Sequence, residues 1–259
     1  MVDNIGLLFE DIYDQYITDQ NNKNREKYKD LEPHFGASSA AQCFKKQYYK
    51  INKYQEDSSI DYKSNRRMRL GTIIHRDFEK ALIDYIENNK EDYDKSNITI
   101  FKEHQIKIPD LKVIGHLDYA IQSGNQLAVA DFKSIASWPY QKRFGHTKNR
   151  EKNPSRHYEY QVCTYAIALA NELEIENPQV YLMFYKKDDS TFKHIKISPH
   201  YMELAWNYWE ELNDTIETLG EDIVTIEPYS MANIPALKWD CDYCQYQIQC
   251  KGDTVWANN

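Results

Sequence analysis

The spacing of apolar residues predicts several helices along the chain. LGTIIHRDFEKALIDYIEN is predicted to be helical because its apolar positions recur with the helical period, at Leu70, Ile74, Phe78, Ala81, Leu82 and Tyr85. Two more long helices are predicted over SRHYEYQVCTYAIALANEL and SPHYMELAWNYWEELNDTIETLG. The second has Ser198 as N-cap, Pro199 at its first position and Gly220 as its stop. Shorter helices are expected near the N-terminus and after GASSA, where the helix carries Cys43.

Strand patterns lie between these helices. The runs ITIFKEHQIKI, KVIGHLDYAI and QLAVADFKSI are separated by turn residues and predict three strands. A further hairpin is predicted from QVYLMFYKK and TFKHIKIS, with DDS at its turn. This order of elements predicts an α/β fold with a mixed central sheet flanked by helices. We expect an N-terminal helical segment over 1–66, a core over 67–220 and a cysteine-rich segment over 221–259.

Composition indicates a globular protein: 41% of the 259 residues are hydrophobic and 28% are charged. No apolar run approaches the roughly 20 residues that span a bilayer, so no membrane association is expected. The N-terminus lacks a basic region and a small-residue cleavage site, which predicts a cytoplasmic location without a signal peptide.

The net charge of −8 argues mildly against a nucleic-acid binder, because phosphate contacts need cations. The segment KRFGHTKNREKNPSR, residues 142–156, nevertheless holds six Lys or Arg and one acid. A solvated loop and a contact surface for an anionic partner are both compatible with this basic segment.

Two acidic residues interrupt apolar strands. Gly124-Asn125 is a two-residue turn signal of the type II′ kind, and the register that it sets places Asp118 directly opposite Asp131. Lys133 shares their face because side chains alternate along a strand. A divalent cation, Mg²⁺ or Mn²⁺, would relieve the repulsion between the two carboxylates. A surface hairpin with an Asp–Lys pair remains the alternative.

The cysteines form a second candidate metal site. Cys241, Cys244 and Cys250 are spaced C-x₂-C-x₅-C, which favours metal binding, and Cys43 is the candidate for a fourth ligand. Zinc and a [4Fe-4S] cluster both accept four cysteines, so the spacing leaves both open. Cys163 is interpreted as a core thiol.

Several of these motifs together resemble the PD-(D/E)xK nucleases. G-H-L-D followed by D-F-K is similar to their signature, and GTIIHRDFEKAL and QVCTY match two helical motifs of the RecB-like exonuclease branch. One cysteine upstream and three near the C-terminus resemble the iron–sulfur nucleases of CRISPR adaptation and of helicase–nuclease complexes. The motifs occur in the family's order from Ser38 to Cys250, although Leu117 stands where the superfamily's name has proline. A phage origin stays open.

The resemblance implies a restriction-endonuclease-like core and a metal-dependent DNA exonuclease that hydrolyses phosphodiester bonds with a metal-activated water. Mg²⁺ or Mn²⁺ would be held by His75, Asp118, Asp131 and the carbonyl of Phe132. Lys133 would act as general base or charge stabiliser.

The helix motif implies further site residues. Gln161 and Tyr165 would lie near the scissile phosphate or orient the lysine. Glu103 precedes the second strand, where related enzymes sometimes carry an acid. Cys43, Cys241, Cys244 and Cys250 would hold a structural [4Fe-4S] cluster joining the N- and C-terminal segments, with structural Zn²⁺ as the alternative.

The implied partner is DNA, either single-stranded or at duplex ends. The basic segment 142–156 would grip it, and any unwinding would come from a partner such as a helicase. A non-catalytic DNA-binding module, or a subunit of a larger DNA-processing complex, is the competing interpretation.

Overall fold

The computed structural model describes residues 5–26, 32–57, 61–146, 148, 156–230, 234–235 and 238–253. The predicted mixed sheet flanked by helices is confirmed. The helices are α1 Ile5–Glu26, α2 Phe44–Ile51, α3 Tyr62–Asn88, α4 Lys90–Lys95, α5 Ser137–Phe144, α6 His157–Glu172, α7 His200–Leu219, α8 Lys238–Asp242 and α9 Gln247–Asp253. The strands are β1 Phe35–Gly36, β2 Ile98–Ile108, β3 Val113–Ser123, β4 Gln126–Ile135, β5 Gln179–Lys186, β6 Phe192–Lys196, β7 Tyr229–Ser230 and β8 Ile234–Pro235.

The sheet forks at β3. Antiparallel β2 runs along one side of β3, from Ile108 opposite Val113 to Ile98 opposite Ser123. On the other side, Val113 pairs with Phe35 of parallel β1, whereas residues 119–123 pair with antiparallel β4. In the described registers, residues 115–118 therefore lie in a gap between β1 and β4. We call this gap the fork.

The rest of the sheet extends away from the fork. β5 pairs with β4 in parallel and β6 pairs with β5 antiparallel, so the sheet is mixed. The parallel β4–β5 connection passes through α5 and α6, the helical crossover that parallel neighbours require. β6 consequently lies at the edge opposite β1.

Helix α6 lies between the sheet and α7, which explains why its sequence is apolar almost all round. Its residues from Glu159 to Ala166 are all buried. Trp209 of α7 is fully buried, donates from Nε1 to Thr164 Oγ1 at 2.9 Å, and stacks on Phe35 of β1 with ring centroids 5.9 Å apart. This contact fixes α6 over the fork.

Helix α3 covers β4 on the face opposite α6. A Cβ on Gly71 would lie 3.0 Å from Ser134 Oγ, so glycine permits the close approach of helix and strand. One turn further along α3 lies His75, and Phe78 packs on Phe132 with centroids 4.4 Å apart. The approach at Gly71 therefore brings His75 to the fork.

The C-terminal segment docks on α2 and the loop that follows it. The Asp57 carboxylate accepts from the amides of Ile248 at 2.6 Å and Gln249 at 3.1 Å, which caps α9. Tyr49 donates from its hydroxyl to Asp253 at 3.0 Å. The two ends of the described chain are thus joined by direct contacts, and the additional metal cluster that was expected to join them stays a prediction.

Three details of the predicted helices differ from the structure. Helix α7 begins at His200, with Pro199 at the N-cap, one residue later than predicted. Cys43 is the N-cap of α2 and precedes the helix. Helix α3 begins at Tyr62, well before Leu70, because Asp61 caps it by accepting from the Ser64 amide at 3.0 Å. The three-part division of the chain stays a prediction.

No helix in the described part of the chain combines the length and apolarity that crossing a bilayer would require.

Candidate active site

The hairpin that builds the site has the predicted register. Gly124 has φ +57° and strand pairing begins at Ser123 opposite Gln126. The pairs continue to Tyr119 opposite Ala130, which leaves Asp118 and Asp131 as the next opposed residues. At this point a side chain replaces the backbone partner: Oδ2 of Asp118 accepts a hydrogen bond from the backbone amide of Phe132 at 2.7 Å. Asp118 is thereby fixed in orientation at the fork.

Both aspartates are buried, as the sequence predicted. Asp131 is 0% exposed and Asp118 is 8% exposed. Burial raises the pKa of Asp131 to about 7, an effect that the nearby ammonium of Lys133 only partly offsets. Burial also raises the pKa of Asp118 to about 6, again against Lys133 and the Phe132 amide. Without a cation, the fork therefore holds its protons more tightly than ordinary carboxyls do.

His75 and Glu103 complete a ligand group with Asp118. One nitrogen or oxygen atom of each lies within 4.8 Å of the others. Nε2 of His75 is 3.4 Å from Asp118 Oδ2 and, although buried, makes no hydrogen bond. A buried ring nitrogen without a partner beside two carboxylates is what a divalent cation would satisfy.

The backbone at Glu103 is unusual. Its φ of +44° is a conformation that non-glycine residues rarely adopt, least of all within a strand. Lys102 and His104 pair normally with Tyr119 and Leu117, so the distortion is confined to the residue opposite Asp118. Backbone strain of this kind is typical of functional sites, because only tertiary contacts can hold it in place. The distorted residue, Glu103, is also the one whose carboxylate lies near His75 and Asp118 in the ligand group.

Lys133 lies on the α6 side of the two aspartates. Its Nζ donates to Asp131 Oδ1 at 3.0 Å and to Gln161 Oε1 at 3.1 Å. Gln161 Nε2 in turn donates to the Tyr165 hydroxyl at 2.8 Å. Of the two residues of the predicted helix motif, Gln161 thus contacts Lys133 directly and Tyr165 contacts it through Gln161.

The charge state of Lys133 follows from these contacts. Burial alone lowers the pKa of Lys133, but the charges of Asp131 and Asp118 outweigh it, so the pKa lies above its ordinary value. The ammonium form therefore dominates at neutral pH. The two buried carboxyl groups of Asp118 and Asp131 thus share this one ammonium, and when both are ionised they outnumber it.

Phe132, whose carbonyl is a predicted metal ligand, contacts other residues of the site through its amide and its ring. The Phe132 amide serves Asp118, as above, and its ring stacks on His75 with centroids 5.8 Å apart. The role of its carbonyl stays a prediction.

A second cluster of charges lies next to the site. Oε1 of Glu159, which is 1% exposed, accepts from Arg143 and from Arg156, the latter at 3.2 Å. Arg143 ends α5 and Arg156 directly precedes α6, so one buried carboxylate holds both ends of the basic segment 142–156. We call these three residues the arginine clamp. Residues 147 and 149–155 of the segment lie outside the described residues.

The arginine clamp and the fork are linked by aromatic side chains at the start of α6. The Tyr158 ring lies 5.2 Å from Lys133 Nζ and 5.8 Å from the guanidinium carbon of Arg143. The pKa of His157 falls to about 4, through burial first and then the charges of Lys133, Arg143 and Lys46. Cationic side chains therefore surround the mouth of the site, at the start of α6, although the whole chain is acidic.

The four predicted cluster cysteines come together from opposite ends of the chain. Burial raises the pKa of the Cys43 thiol to about 11, opposed by amides of α2, and nearby Cys250 and Cys244 raise it further. Cys241 is likewise influenced by Cys244 and Cys250. Cys163 lies apart and is fully buried, as expected for a core thiol.

Sequence reasoning gave Glu103 little weight and missed the arginine clamp. A signal for Glu103 existed, because the β2–β3 register places it opposite Asp118. No comparable signal existed for Glu159, which resembles any acidic residue in the first turn of a helix.

Comparisons with known proteins concern the family and the fold. A family model described as the PD-(D/E)XK nuclease superfamily matches residues 53–251. The solved structure titled SSO0001 has a TM-score of 0.54 at 15% identity, with 93% of this chain and 97% of that chain covered. At that identity the likeness shows the fold. No curated protein matches the chain.

Two further solved structures are similar. A protein of Eubacterium rectale described as a candidate exonuclease has a TM-score of 0.49 at 14% identity, covering 83% of this chain and 89% of that chain. The alkaline exonuclease LHK-Exo of Laribacter hongkongensis has a TM-score of 0.40 at 15% identity, covering 76% of this chain and 96% of that chain.

Proposed function

The chain belongs to the PD-(D/E)XK nuclease superfamily, and from that membership we propose that it is a metal-dependent DNA exonuclease. The observation that carries the proposal is the set of buried carboxylates at the fork, gathered around a single lysine. Burying ionised carboxylates costs free energy of folding, so such groups are typical of sites that bind a cation or carry out a reaction.

His75, Glu103 and Asp118 would hold a Mg²⁺ or Mn²⁺ ion, together with Asp131 and the Phe132 carbonyl. A bound ion of this kind activates water as a nucleophile and polarises a phosphate oxygen. The chain itself supplies the orientation. The Phe132 amide fixes Asp118, and the distorted backbone at Glu103 accompanies the third carboxylate.

Lys133 would stabilise the negative charge that develops on the phosphate. Its raised pKa keeps the ammonium protonated at neutral pH, which favours this role over that of a general base. Gln161 accepts a hydrogen bond from Lys133 and so holds it in place, and Tyr165 accepts one from Gln161. In this proposal Gln161 and Tyr165 position the lysine.

DNA would approach over the cationic side chains at the mouth of the site. The arginine clamp fixes both ends of the basic segment 142–156 beside Lys133, which supports a DNA-gripping role for that segment. Exonuclease action on single strands or duplex ends and a helicase partner are supported by the resemblance to RecB-like enzymes. The cytoplasmic location rests on the N-terminal sequence pattern alone.

We further propose that Cys43, Cys241, Cys244 and Cys250 hold a [4Fe-4S] cluster, with structural Zn²⁺ as the alternative. Amides of α2 lie against the Cys43 thiol, and such donors stabilise cluster-bound sulfur. The cluster would clamp a junction that Asp57 and Tyr49 already form. Iron at about four per chain in anaerobically purified protein is the expected result, and colourless protein with one tightly bound zinc would contradict it.

The competing function is a DNA-binding module without turnover, acting alone or as a subunit of a DNA-processing complex. The intact set of Asp118, Asp131 and Lys133 argues against it, because binding alone does not require buried carboxylates next to a polyanion.

The deciding experiment measures cleavage of end-labelled single- and double-stranded DNA with Mn²⁺ or Mg²⁺, for wild type and Lys133→Ala. The wild type is expected to shorten the DNA progressively, whereas the variant folds, binds DNA and loses at least about a hundredfold in rate. If both proteins bind DNA and neither cuts it, the binding module is correct.

A further inference from the structure

A pocket of about 630 Å³ opens at the β1 end of the fork. Its walls come from β1 and the turn after it, from the end of α2 and from the start of β3, including Ala37, Lys50, Lys53 and Ile114. The volume lies within the roughly 300–1,000 Å³ of small-molecule sites, so it suits a single nucleotide unit.

This pocket and the carboxylates occupy the two ends of one gap in the sheet. Pocket residue Gly115 begins the stretch of β3 that pairs with neither β1 nor β4 and that Asp118 ends, and pocket residue Ile114 directly precedes it. Tyr165 also lines the pocket. Its hydroxyl accepts from Gln161, which contacts Lys133. A chain bound across the gap would therefore reach the pocket and the carboxylates together.

The lining combines apolar and cationic side chains with one acidic residue, Glu32. Ile51, Ile114 and the Tyr165 ring offer an apolar wall, while Lys50 and Lys53 offer ammonium groups at the end of α2. A nucleotide has the matching parts: a flat base that stacks on aromatic and apolar side chains, and a phosphate that pairs with lysines.

Lysines also mark a path between pocket and site. Lys46 and Lys50 lie one turn apart on α2, and partial burial followed by the charge of Lys46 lowers the pKa of Lys50. Lys46 influences His157 at the mouth of the active site as well. An anionic chain along this face would relieve the mutual repulsion of these cations.

We propose that the pocket holds one unpaired nucleotide of the strand being cut, with its base against Tyr165 and Ile114 and its phosphate at Lys50 and Lys53. The base must be unpaired to enter, so single-stranded DNA is the preferred substrate over a blunt duplex. This inference rests on the proposed nuclease function and adds the substrate class to it.

The first test measures the salt dependence of binding. In a Lys133→Ala background, which stops turnover, the variant Lys50→Gln/Lys53→Gln is compared with Lys80→Gln/Lys90→Gln, two exposed lysines on α3 and α4. For a single-stranded oligonucleotide, the slope of log K against log salt should fall by about 0.7 in the pocket variant, the value for one lost phosphate contact. The control should match its parent. Equal slopes in the two variants would overturn the phosphate assignment.

The second test asks whether a base occupies the pocket. One abasic nucleotide is moved along the oligonucleotide, and one position should weaken binding by about tenfold because a stacked base is lost. Ser38→Trp, at an exposed wall residue, should fill the pocket and abolish that position-specific loss, with a thermal melt confirming the fold. An abasic scan with no sensitive position, or equal affinity for blunt duplex, would overturn the proposal.

The two proposals fail in different ways. If wild type neither binds nor cuts any DNA, the nuclease function fails and the pocket assignment fails with it. If wild type cuts DNA while the pocket lysines behave like the control lysines, only the pocket assignment fails.

Discussion

The fork and the arginine clamp both bury carboxylates, and they balance the charge in opposite ways. In the clamp, one Glu159 oxygen accepts hydrogen bonds from two guanidinium groups. At the fork, one lysine donates to Asp131, while Asp118 lies in a group with Glu103 and with His75, whose Nε2 makes no hydrogen bond. The clamp carries its own counter-charges, whereas the fork is short of positive charge.

This difference separates a structural group of charges from one that needs a ligand. Ionised groups are buried in proteins when they are paired or when they coordinate a metal. Glu159 satisfies the first condition with residues of its own chain. Asp118 and Asp131 are only partly neutralised by Lys133. Their raised pKa values reflect the free energy that burial of the ionised carboxylates still costs. The comparison can be tested from either side.

The largest effect on stability is expected when the clamp is broken. Glu159→Gln keeps the shape of the side chain but removes the buried negative charge that pairs with Arg143, whose side chain is 10% exposed. Loss of one partner from a buried pair costs about 3–5 kcal/mol, measured by urea unfolding. The matched control, Glu172→Gln, removes an exposed partner of His104 and should change the stability by less than about 1 kcal/mol. Equal stability of the two variants would show that Glu159 does not neutralise the clamp.

A smaller and oppositely directed effect is expected at the fork in metal-free protein. The folded pKa values of Asp118 and Asp131, about 6 and about 7, exceed the ordinary value of 3.8. The native state therefore binds more protons than the unfolded state between pH 4 and pH 7, and stability falls as the pH rises through that window.

The variant Asp118→Asn/Asp131→Asn removes both carboxyl groups and so tests whether they cause this pH dependence of stability. In EDTA the stability of this variant should not fall between pH 5 and pH 8, whereas that of wild type should fall by a few kcal/mol, because each unit of pKa shift corresponds to about 1.4 kcal/mol. Thermal melts at pH 5 and pH 8 provide the measurement. A wild type that gains stability over the variant as the pH rises would contradict the charge imbalance.

The smallest effect concerns Tyr165. Tyr165→Phe removes the acceptor for Gln161 but keeps the ring, so Lys133 loses only indirect support. One hydrogen bond is worth about 0.5–1.5 kcal/mol, which predicts a rate of DNA cleavage lower by about 2- to 13-fold. Gln161→Leu removes the direct contact to Lys133 and should cost more. A Tyr165→Phe loss larger than that of Gln161→Leu would show that the hydroxyl acts on the substrate itself.

Local chemistry explains why the sequence could predict the aspartates. The Gly124-Asn125 turn sets a register, and a register sets which side chains face one another. Helical spacing likewise placed Gln161 and Tyr165 on one face, where both meet the Lys133 side of the site. These are interactions between neighbours in sequence or across one turn.

The remaining features depend on contacts that no local pattern encodes. The distorted backbone at Glu103 is held by its surroundings and contradicts the residue's own preference. The arginine clamp joins the two ends of the basic segment 142–156, and the pocket draws its walls from elements that are distant in sequence. Roles for Glu103, the arginine clamp and the pocket can be inferred only from their positions around the fork in the folded chain.

The central claim, that the fork is a divalent-cation site, is tested most directly by calorimetric titration of Mn²⁺ into metal-free protein at pH 8. Wild type should bind Mn²⁺, and Asp131→Asn should bind at least about tenfold more weakly, as expected for loss of one charged group at the site. The exposed control Asp84→Asn should match wild type. Equal Mn²⁺ affinity in all three proteins would contradict the claim.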